Sequence, residues 1–470
     1  MRKRPTIFSS SRSRELSMDS LLSILKELRC DKVIFKRLAP NDNSKNQPYF
    51  GSHLTELSFF PIGEVEASDS FSSKKACKNK GPKFTAHFPF SWIDACGQEY
   101  PAPNSKLIYY PQYPEVRFSG FLQSCAIDAD GWMDPKKLGR KEGRILVLGV
   151  SNSRKSTFGF LATPESRVAK EVQKQPSTEL TKIFEAIWDG QKNEEGKSLR
   201  ELLLESLAQI HSKGWIPSQR MNVNGRIIPY TAQNGGGYTL EAELGIIPNG
   251  LAQPDYLGWE IKQFQVANFL KAFQGKPLTL LTPEPTGGYY VEEGVLDFLR
   301  KYGKKSKKTP DRYDFCGRHF ATGTCPSTGL SLSIEGFDAT SRKVLDAKGA
   351  IRLIDSQGND AASWDFAKII KHWNKKHANS VYIPSMKKKD VSPVQYRYSN
   401  FVRLYTSTNI NLFLNSVSVG AVYYDPGIKI EKASTNPRTK RRSQFRVKAR
   451  ELDTLYLNRE DVDLVDYGQR

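Results

Sequence analysis

The stretch that most constrains this chain is residues 234–264, NGGGYTLEAELGIIPNGLAQPDYLGWEIKQF. A glycine-rich turn at 234–237 leads into a short helix over 238–244, which stops at Gly245. A loop with two turn signals, Pro248-Asn249-Gly250 and Pro254, delivers the chain to Asp255. The apolar run over 256–264 then reads as a strand, interrupted by Glu260 and Lys262. Side chains two apart on a strand share a face. Glu260 and Lys262 therefore emerge together with Asp255 just ahead of them, which gathers two carboxylates and an ammonium.

That trio carries a chemistry. Two carboxylates suit Mg2+, with waters completing its octahedron. Such an ion polarises a phosphate oxygen and lowers the pKa of a bound water. A neighbouring lysine orients that water or offsets the charge that builds on the phosphate. Glu241, one turn into the preceding helix, is placed to reach the same centre. The bland alternative is a surface turn followed by a strand with solvated charges, because patterns this short recur by chance.

The neighbouring residues weigh against that alternative. LExxLG (Leu240, Glu241, Leu244, Gly245), then Pro254-Asp255, then Glu260 and Lys262, resembles the MvaI/BcnI restriction endonuclease family and the mismatch-repair nickase MutH. The resemblance implies a C-terminal α/β nuclease domain of the PD-(D/E)xK kind. In it Asp255, Glu260 and Glu241 are metal ligands, Lys262 is catalytic, and Mg2+ is the cofactor with Mn2+ as a substitute. Segments such as YSNFVRLYTSTNINLFL, VSVGAVYYDPG and QFRV extend the resemblance over 396–447. That region forms the base-reading lobe in the family. It makes Arg403, Lys440, Arg441, Arg442 and Arg446 the candidate DNA contacts. Thr439–Arg442 replaces histidines found there in the family, and Ser416 and Ser418, read as lying on a strand, replace an acid and an arginine.

A second resemblance lies upstream. VIFKRLAPNDNSKNQPYFG, KFTAHF and LIYYPQYPEVRFSGF are similar to the DNA-binding effector domain of EcoRII-type restriction enzymes. It implies an N-terminal all-β pseudobarrel whose two arms clasp a DNA groove. The first arm carries Lys36, Arg37, Asn41, Asn43, Asn46 and Gln47, and the second carries Glu115 and Arg117. These residue types suit base readout: arginine pairs with guanine, asparagine or glutamine with adenine, and glutamate accepts from cytosine. Any one polar residue of the first arm suits a solvated loop equally well.

Composition agrees with a polyanionic partner. Against 50 Asp+Glu stand 70 Lys+Arg, a formal charge of +20 over 470 residues, and such a field favours nucleic acid. No apolar run approaches transmembrane length, so no membrane association is expected. The start, MRKRPTIFSSSRSRE, is basic without an apolar core, so it reads as a disordered tail rather than an export signal. Six cysteines are too sparse for a disulfide scaffold. The expected compartment is the reducing cytoplasm. Cys316, His319 and Cys325 fit no standard zinc spacing and read as free groups in a loop.

Elsewhere the pattern predicts helices over 17–28, 180–188, 199–212 and 364–377 and strands over 32–38, 83–88, 106–110, 116–122, 144–150 and 276–282. A meander is expected over 330–356, and the basic block 299–312 is expected to meet phosphates. His211 reads as a packing or surface residue, His372 and His377 as surface residues, and 450–470 as an uninformative acidic tail. The expected organisation is multidomain: an effector domain over 1–172, a linker over 173–184 and a nuclease over 185–470. The nuclease is divided into a catalytic lobe (185–300) and a base-reading lobe (300–460). Together the resemblances imply a monomeric Type IIE restriction endonuclease that nicks the two strands in turn. It would engage double-stranded DNA at two copies of a short site such as CCWGG, beside a companion DNA methyltransferase. The alternatives are a MutH-type nickase directed by modification or repair, and a non-enzymatic DNA-binding regulator.

Overall fold

The computed structural model describes residues 7–40, 47–70, 80–128, 131–134, 136–174, 177–189, 197–247, 256–275 and 277–467. The chain divides into two compact units, Met1–Lys197 and Ser198–Arg470. Among the described residues no helix is long and apolar enough to cross a membrane.

Two sheets make the first unit. One runs, in spatial order, Tyr49–Gly51, Glu115–Ser119, Lys106–Tyr110, Lys80–His87 and Val65–Ser70, antiparallel throughout. The other has seven strands, with Lys32–Arg37, Ile145–Ser151 and Ser156–Ala162 at its middle. Phenylalanines fill the space between them: Phe118 of the first sheet meets Phe90 of the second with ring centres 5.0 Å apart. Ile145–Ser151 is buried at every position, because the helix Met18–Glu27 covers its other face. Ser17 caps that helix, and Met18, Leu21 and Leu25 form its buried stripe. Gly149 allows the close approach: a Cβ there would lie 2.6 Å from the Cys30 sulfur and 2.7 Å from a Leu25 methyl.

Three expectations for this unit are corrected. Residues 7–15 are not a loose tail. Phe8 is buried 5.3 Å from the Trp92 ring, and Ser11–Glu15 is helical. The apolar residues of 180–188 do not form a helix; Glu185–Asp189 is a strand antiparallel to Lys32–Arg37. A short run with a buried Phe184 satisfies either period, and pairing with an open strand edge decides it. The boundary therefore falls after Lys197, and the strand Glu185–Asp189, from the segment expected to link the units or open the nuclease, belongs to the seven-stranded sheet of the first unit.

The second unit is built on Asn379–Lys388. One edge of this strand pairs with Gln395–Tyr398 and Phe401–Thr406, both antiparallel. The other edge takes Glu260–Gln265 in parallel, Glu260 opposite Ser380 and Lys262 opposite Tyr382. Ile216–Pro217 and Asn458–Asp463 complete the sheet. Leu199–Ser212 is held by a capping box between Ser198 and Glu201. Its Leu203, Leu204 and Leu207 pack with Leu240, Ile261, Val381 and Ile383 in one core. Smaller sheets follow, among them Pro277–Leu281 with Phe445–Lys448 and Val422–Tyr424.

The strand beside the motif, Asn379–Lys388, comes from the part of the chain beyond residue 300 that is expected to read bases. The acidic C-terminal stretch is structural: Asn458–Asp463 is an edge strand of the same sheet. Ser416 and Ser418 lie on the helix Ile410–Ser418 and not on a strand.

Candidate active site

The motif strand is shorter than the apolar run suggested, because a tight turn occupies its first third. Tyr256 and Trp259 exchange backbone hydrogen bonds of 3.0 and 2.8 Å, with Leu257 and Gly258 both at positive φ. That is the geometry of a two-residue hairpin turn, and it reverses the chain just before Glu260. Asp255 lies outside the described residues.

On the strand, Glu260 and Lys262 do share a face. Lys262 Nζ donates to Glu260 Oε1 at 2.5 Å, and the glutamate is only 2% exposed. Below them lies a buried polar floor. His377 Nδ1 is 2.9 Å from the Tyr456 hydroxyl, which donates to Ser380 Oγ at 3.2 Å and lies 3.3 Å from the Tyr382 hydroxyl. The expectation of a surface His377 is thus wrong. Its Nε2 is satisfied by the Leu280 carbonyl at 3.0 Å, and burial pushes its pKa down to about 3, so it stands neutral under Glu260. The i,i+5 spacing excluded a metal pair but left burial open.

Sequence reasoning missed Lys376. It sits in the last turn of the helix Phe366–His377, and its Nζ is 3.7 Å from Glu260 Oε1. Burial alone would raise the pKa of Glu260; the ammonium groups of Lys262 and Lys376 outweigh it, and the net direction is down. The carboxylate is therefore held ionised. Its other oxygen, Oε2, is buried without a hydrogen-bond partner. An unpartnered anionic oxygen in such a place suits a cation. Among the described residues there is no group of three acids, histidines or cysteines that could hold a metal; the expected set includes Asp255.

Glu241 lies on Gly235–Glu243, which includes the glycines expected to form a turn. The glycines seat the helix on the sheet. A Cβ on Gly236 would stand 3.0 Å from the Gln263 side chain, and one on Gly235 2.6 Å from Ser218 Oγ. The Tyr398 hydroxyl donates to the Gly236 carbonyl at 2.7 Å.

The sequence profile described as "MvaI/BcnI restriction endonuclease family" matches residues 204–456, more than half of the chain. The chain belongs to the MvaI/BcnI restriction endonuclease family. It is accordingly a site-specific deoxyribonuclease of the Type II restriction class. No curated protein matches it in a sequence search. Among solved structures it is similar to "Restriction endonuclease MvaI-cognate DNA substrate complex", at 19% identity and TM-score 0.43 over 57% of this chain and 99% of that one. It is also similar to "Restriction endonuclease MvaI in the absence of DNA", at 18% and 0.32 over 57% and 98%.

The other candidate residues of this MvaI/BcnI family chain fall into three groups. In the first unit, Lys36, Gln47, Glu115 and Arg117 line one cavity of about 260 Å³. This brings residues of both expected arms together. Arg117 and Glu115 form an ion pair at 2.8 Å, and Gln47 donates to Ser119 Oγ at 2.8 Å. Burial lowers the Lys36 pKa to about 8. Arg37 points elsewhere, to an ion pair with Glu185. Asn41, Asn43 and Asn46 lie outside the described residues.

In the second unit, Lys440 ends the edge strand Arg438–Lys440 of a sheet that also holds Lys304–Lys305. Arg441 and Arg442 are exposed just beyond it. This sheet joins the expected phosphate-binding block to the basic TKRR segment. Arg446 is engaged internally, by Asp425 at 2.7 Å and the Pro277 carbonyl at 3.0 Å. Arg403 faces Asp461 at 2.7 Å and lies 4.0 Å from the Phe273 ring centre, on the sheet of the motif. Arg403 and Arg446 are thus each held in an ion pair, whereas Arg441 and Arg442 are exposed. In the loop of Cys316, His319 and Cys325, His319 Nε2 is 2.8 Å from Thr328 Oγ1, and Cys325 is a buried free thiol.

Proposed function

We propose that the chain is a Type IIE restriction endonuclease that hydrolyses double-stranded DNA at a short site such as CCWGG. The observation that carries the hydrolytic reading is the ionised, buried Glu260, with Lys262 on one oxygen and no partner on the other. Glu260, Asp255 and Glu241 would hold Mg2+, or Mn2+ in its place. The ion, once bound, activates a water and polarises the phosphate. The chain's own contribution is positional. The turn at Tyr256–Trp259 fixes the start of the strand, the His377–Tyr456 floor fixes the face of Glu260, and Lys262 stands beside it to orient the attacking water. The products carry a 5′-phosphate. A buried, preorganised carboxylate and ammonium need little rearrangement at the moment of reaction.

The first unit serves as an effector domain of the EcoRII kind, binding a second copy of the site through Lys36, Gln47, Glu115 and Arg117 with the loop at 41–46. The pairing of such a domain with an MvaI-like nuclease resembles the architecture of UbaLAI. The enzyme acts as a monomer in the cytoplasm, with a companion methyltransferase protecting the host site. Digestion of unmethylated plasmids carrying zero, one or two CCWGG sites, with sequencing of the ends, tests this. Double-strand cuts at those sites, faster with two than with one, are expected. Cuts elsewhere would refute the site, nicks confined to one strand would favour a MutH-type nickase, and no cutting with Mg2+ or Mn2+ would refute hydrolysis.

A further inference from the structure

We infer that Lys376 is a second ammonium of the hydrolysis centre, opposing divalent-cation binding in the free protein and facing the phosphate during reaction. This rests on the hydrolytic reading of Glu260 and Lys262.

The argument starts from charge. Glu260 Oε1 has Lys262 Nζ at 2.5 Å and Lys376 Nζ at 3.7 Å, so one buried carboxylate oxygen has two cations near it. One cation neutralises a carboxylate; the second is surplus to stability. Lysines ordinarily carry their charge out to solvent. The Lys376 side chain is 31% exposed, yet its tip turns to a glutamate that is 2% exposed. It reaches the site from the helix Phe366–His377, whereas Lys262 belongs to the motif strand itself. The two ammonium groups thus approach one oxygen from separate elements, and Lys376, the more exposed and more distant of the two, is the one placed to turn to an incoming anion. A phosphodiester beside Glu260 is that anion. Its charge grows in the transition state, where a fixed cation stabilises it more than in the ground state.

The position has an opposite consequence before DNA arrives. A cation close to Glu260 Oε1 repels any divalent ion that the same carboxylate would bind. Lys376→Gln should therefore bind the divalent ion more tightly and cleave more slowly. A merely structural lysine gives a different pattern, because its loss would loosen Glu260 and weaken both.

The test uses the full chain and two readouts. Without DNA, thermal melting is followed as Mg2+ is titrated, giving the half-saturation of the upward shift. Cleavage is then measured in single turnover at saturating Mg2+ on a two-site plasmid. Lys376→Gln should lower the Mg2+ half-saturation several-fold and slow cleavage by roughly 10²-fold, the scale of losing one charge-stabilising donor. Lys376→Arg, which keeps the cation, should restore both toward wild type. Wild-type cleavage by Lys376→Gln would overturn this inference alone, as would weaker Mg2+ binding accompanying slower cleavage. Failure of the wild type to cut would overturn the hydrolytic reading and the inference with it.

Discussion

Replacing Lys262 with alanine separates the structural from the chemical part of the motif. Removing one partner of a buried ion pair costs about 3–5 kcal/mol, because the remaining charge is left unpaired. Here Lys376 remains at 3.7 Å where Lys262 stood at 2.5 Å. Attraction falls as inverse distance, so its pull is roughly two-thirds that of Lys262, and about two-fifths of the summed Coulombic attraction survives the substitution. Lys262 is itself 20% exposed, and solvent screens part of its contribution. The expected destabilisation is therefore about 2 kcal/mol, a drop of roughly 5 °C for a unit of this size. Melting of the full chain, followed through the transition of the second unit in EDTA, measures it. Two controls sharpen the result. Lys262→Ala/Glu260→Gln should recover most of the loss, since the unpaired charge is gone. Mg2+ should stabilise Lys262→Ala more than wild type, because the ion takes the place of the missing ammonium. Lys262→Ala melting within 1 °C of wild type, or a double variant less stable than the single one, would refute the picture of a buried, mutually neutralising pair.

Cleavage at the proposed site should be abolished by Lys262→Ala, Glu260→Ala or Asp255→Ala while gel-shift binding of the duplex survives; retained cutting would refute their roles. Acid should destabilise the second unit: burial depresses His377 to about 3 and His319 to about 4, so their neutral forms add stability that is complete above the unfolded value near 6.5 and is lost as pH falls toward 4. Melting temperature measured from pH 7.5 to 4.5 should fall, and His377→Gln should flatten part of that fall. Arg144, 3% exposed, donates to the carbonyls of Lys141, Trp132 and Ala39 at 2.7–3.1 Å; Arg144→Met should cost about 2–4 kcal/mol in denaturant titration of the first unit by leaving those acceptors bare. Arg117→Ala should weaken the response of cleavage to a second site without changing cutting of one-site DNA by more than about twofold.

What the sequence disclosed follows from how local each cause is. Glu260 and Lys262 were legible because strand periodicity alone puts them on one face. Leu199–Ser212 was legible because its capping box and leucine stripe lie within a single segment. The strand Glu185–Asp189 was not, because its identity depends on an edge offered by Lys32–Arg37. The same limit hid the core of the site. His377 and Lys376 reach Glu260 only because Asn379–Lys388 pairs in parallel with the motif strand, and no spacing in the sequence encodes that pairing. Arg403 and Arg446 show the converse: arginines in a basic, family-like segment drew attention as groove contacts, while their ion pairs to Asp461 and Asp425 depend on the fold.

The two units share one arrangement, in which a carboxylate is kept beside a cation at a position proposed to meet an anion or a metal. In the second unit Glu260 holds Lys262, and in the first Glu115 holds Arg117 at 2.8 Å within the lined cavity. A pair of this kind presents little net charge until a ligand separates it. In the proposed effector role, separation of Glu115 and Arg117 would release an acceptor for cytosine and a fork for guanine, which a mismatched base pair would not repay. For Glu260 and Lys262 in the proposed hydrolysis, it would release the oxygen for a metal and the ammonium for water or phosphate. On that reading both sites would exchange some affinity for discrimination. Raising ionic strength weakens phosphate attraction throughout the protein, but it should leave the buried Glu260–Lys262 pair intact. Between low and moderate salt, DNA binding should therefore fall steeply, while the single-turnover rate on DNA already bound stays nearly constant. A cleavage step that fell in proportion to binding would show that the Glu260 site is open to solvent and that its burial plays no part in the chemistry.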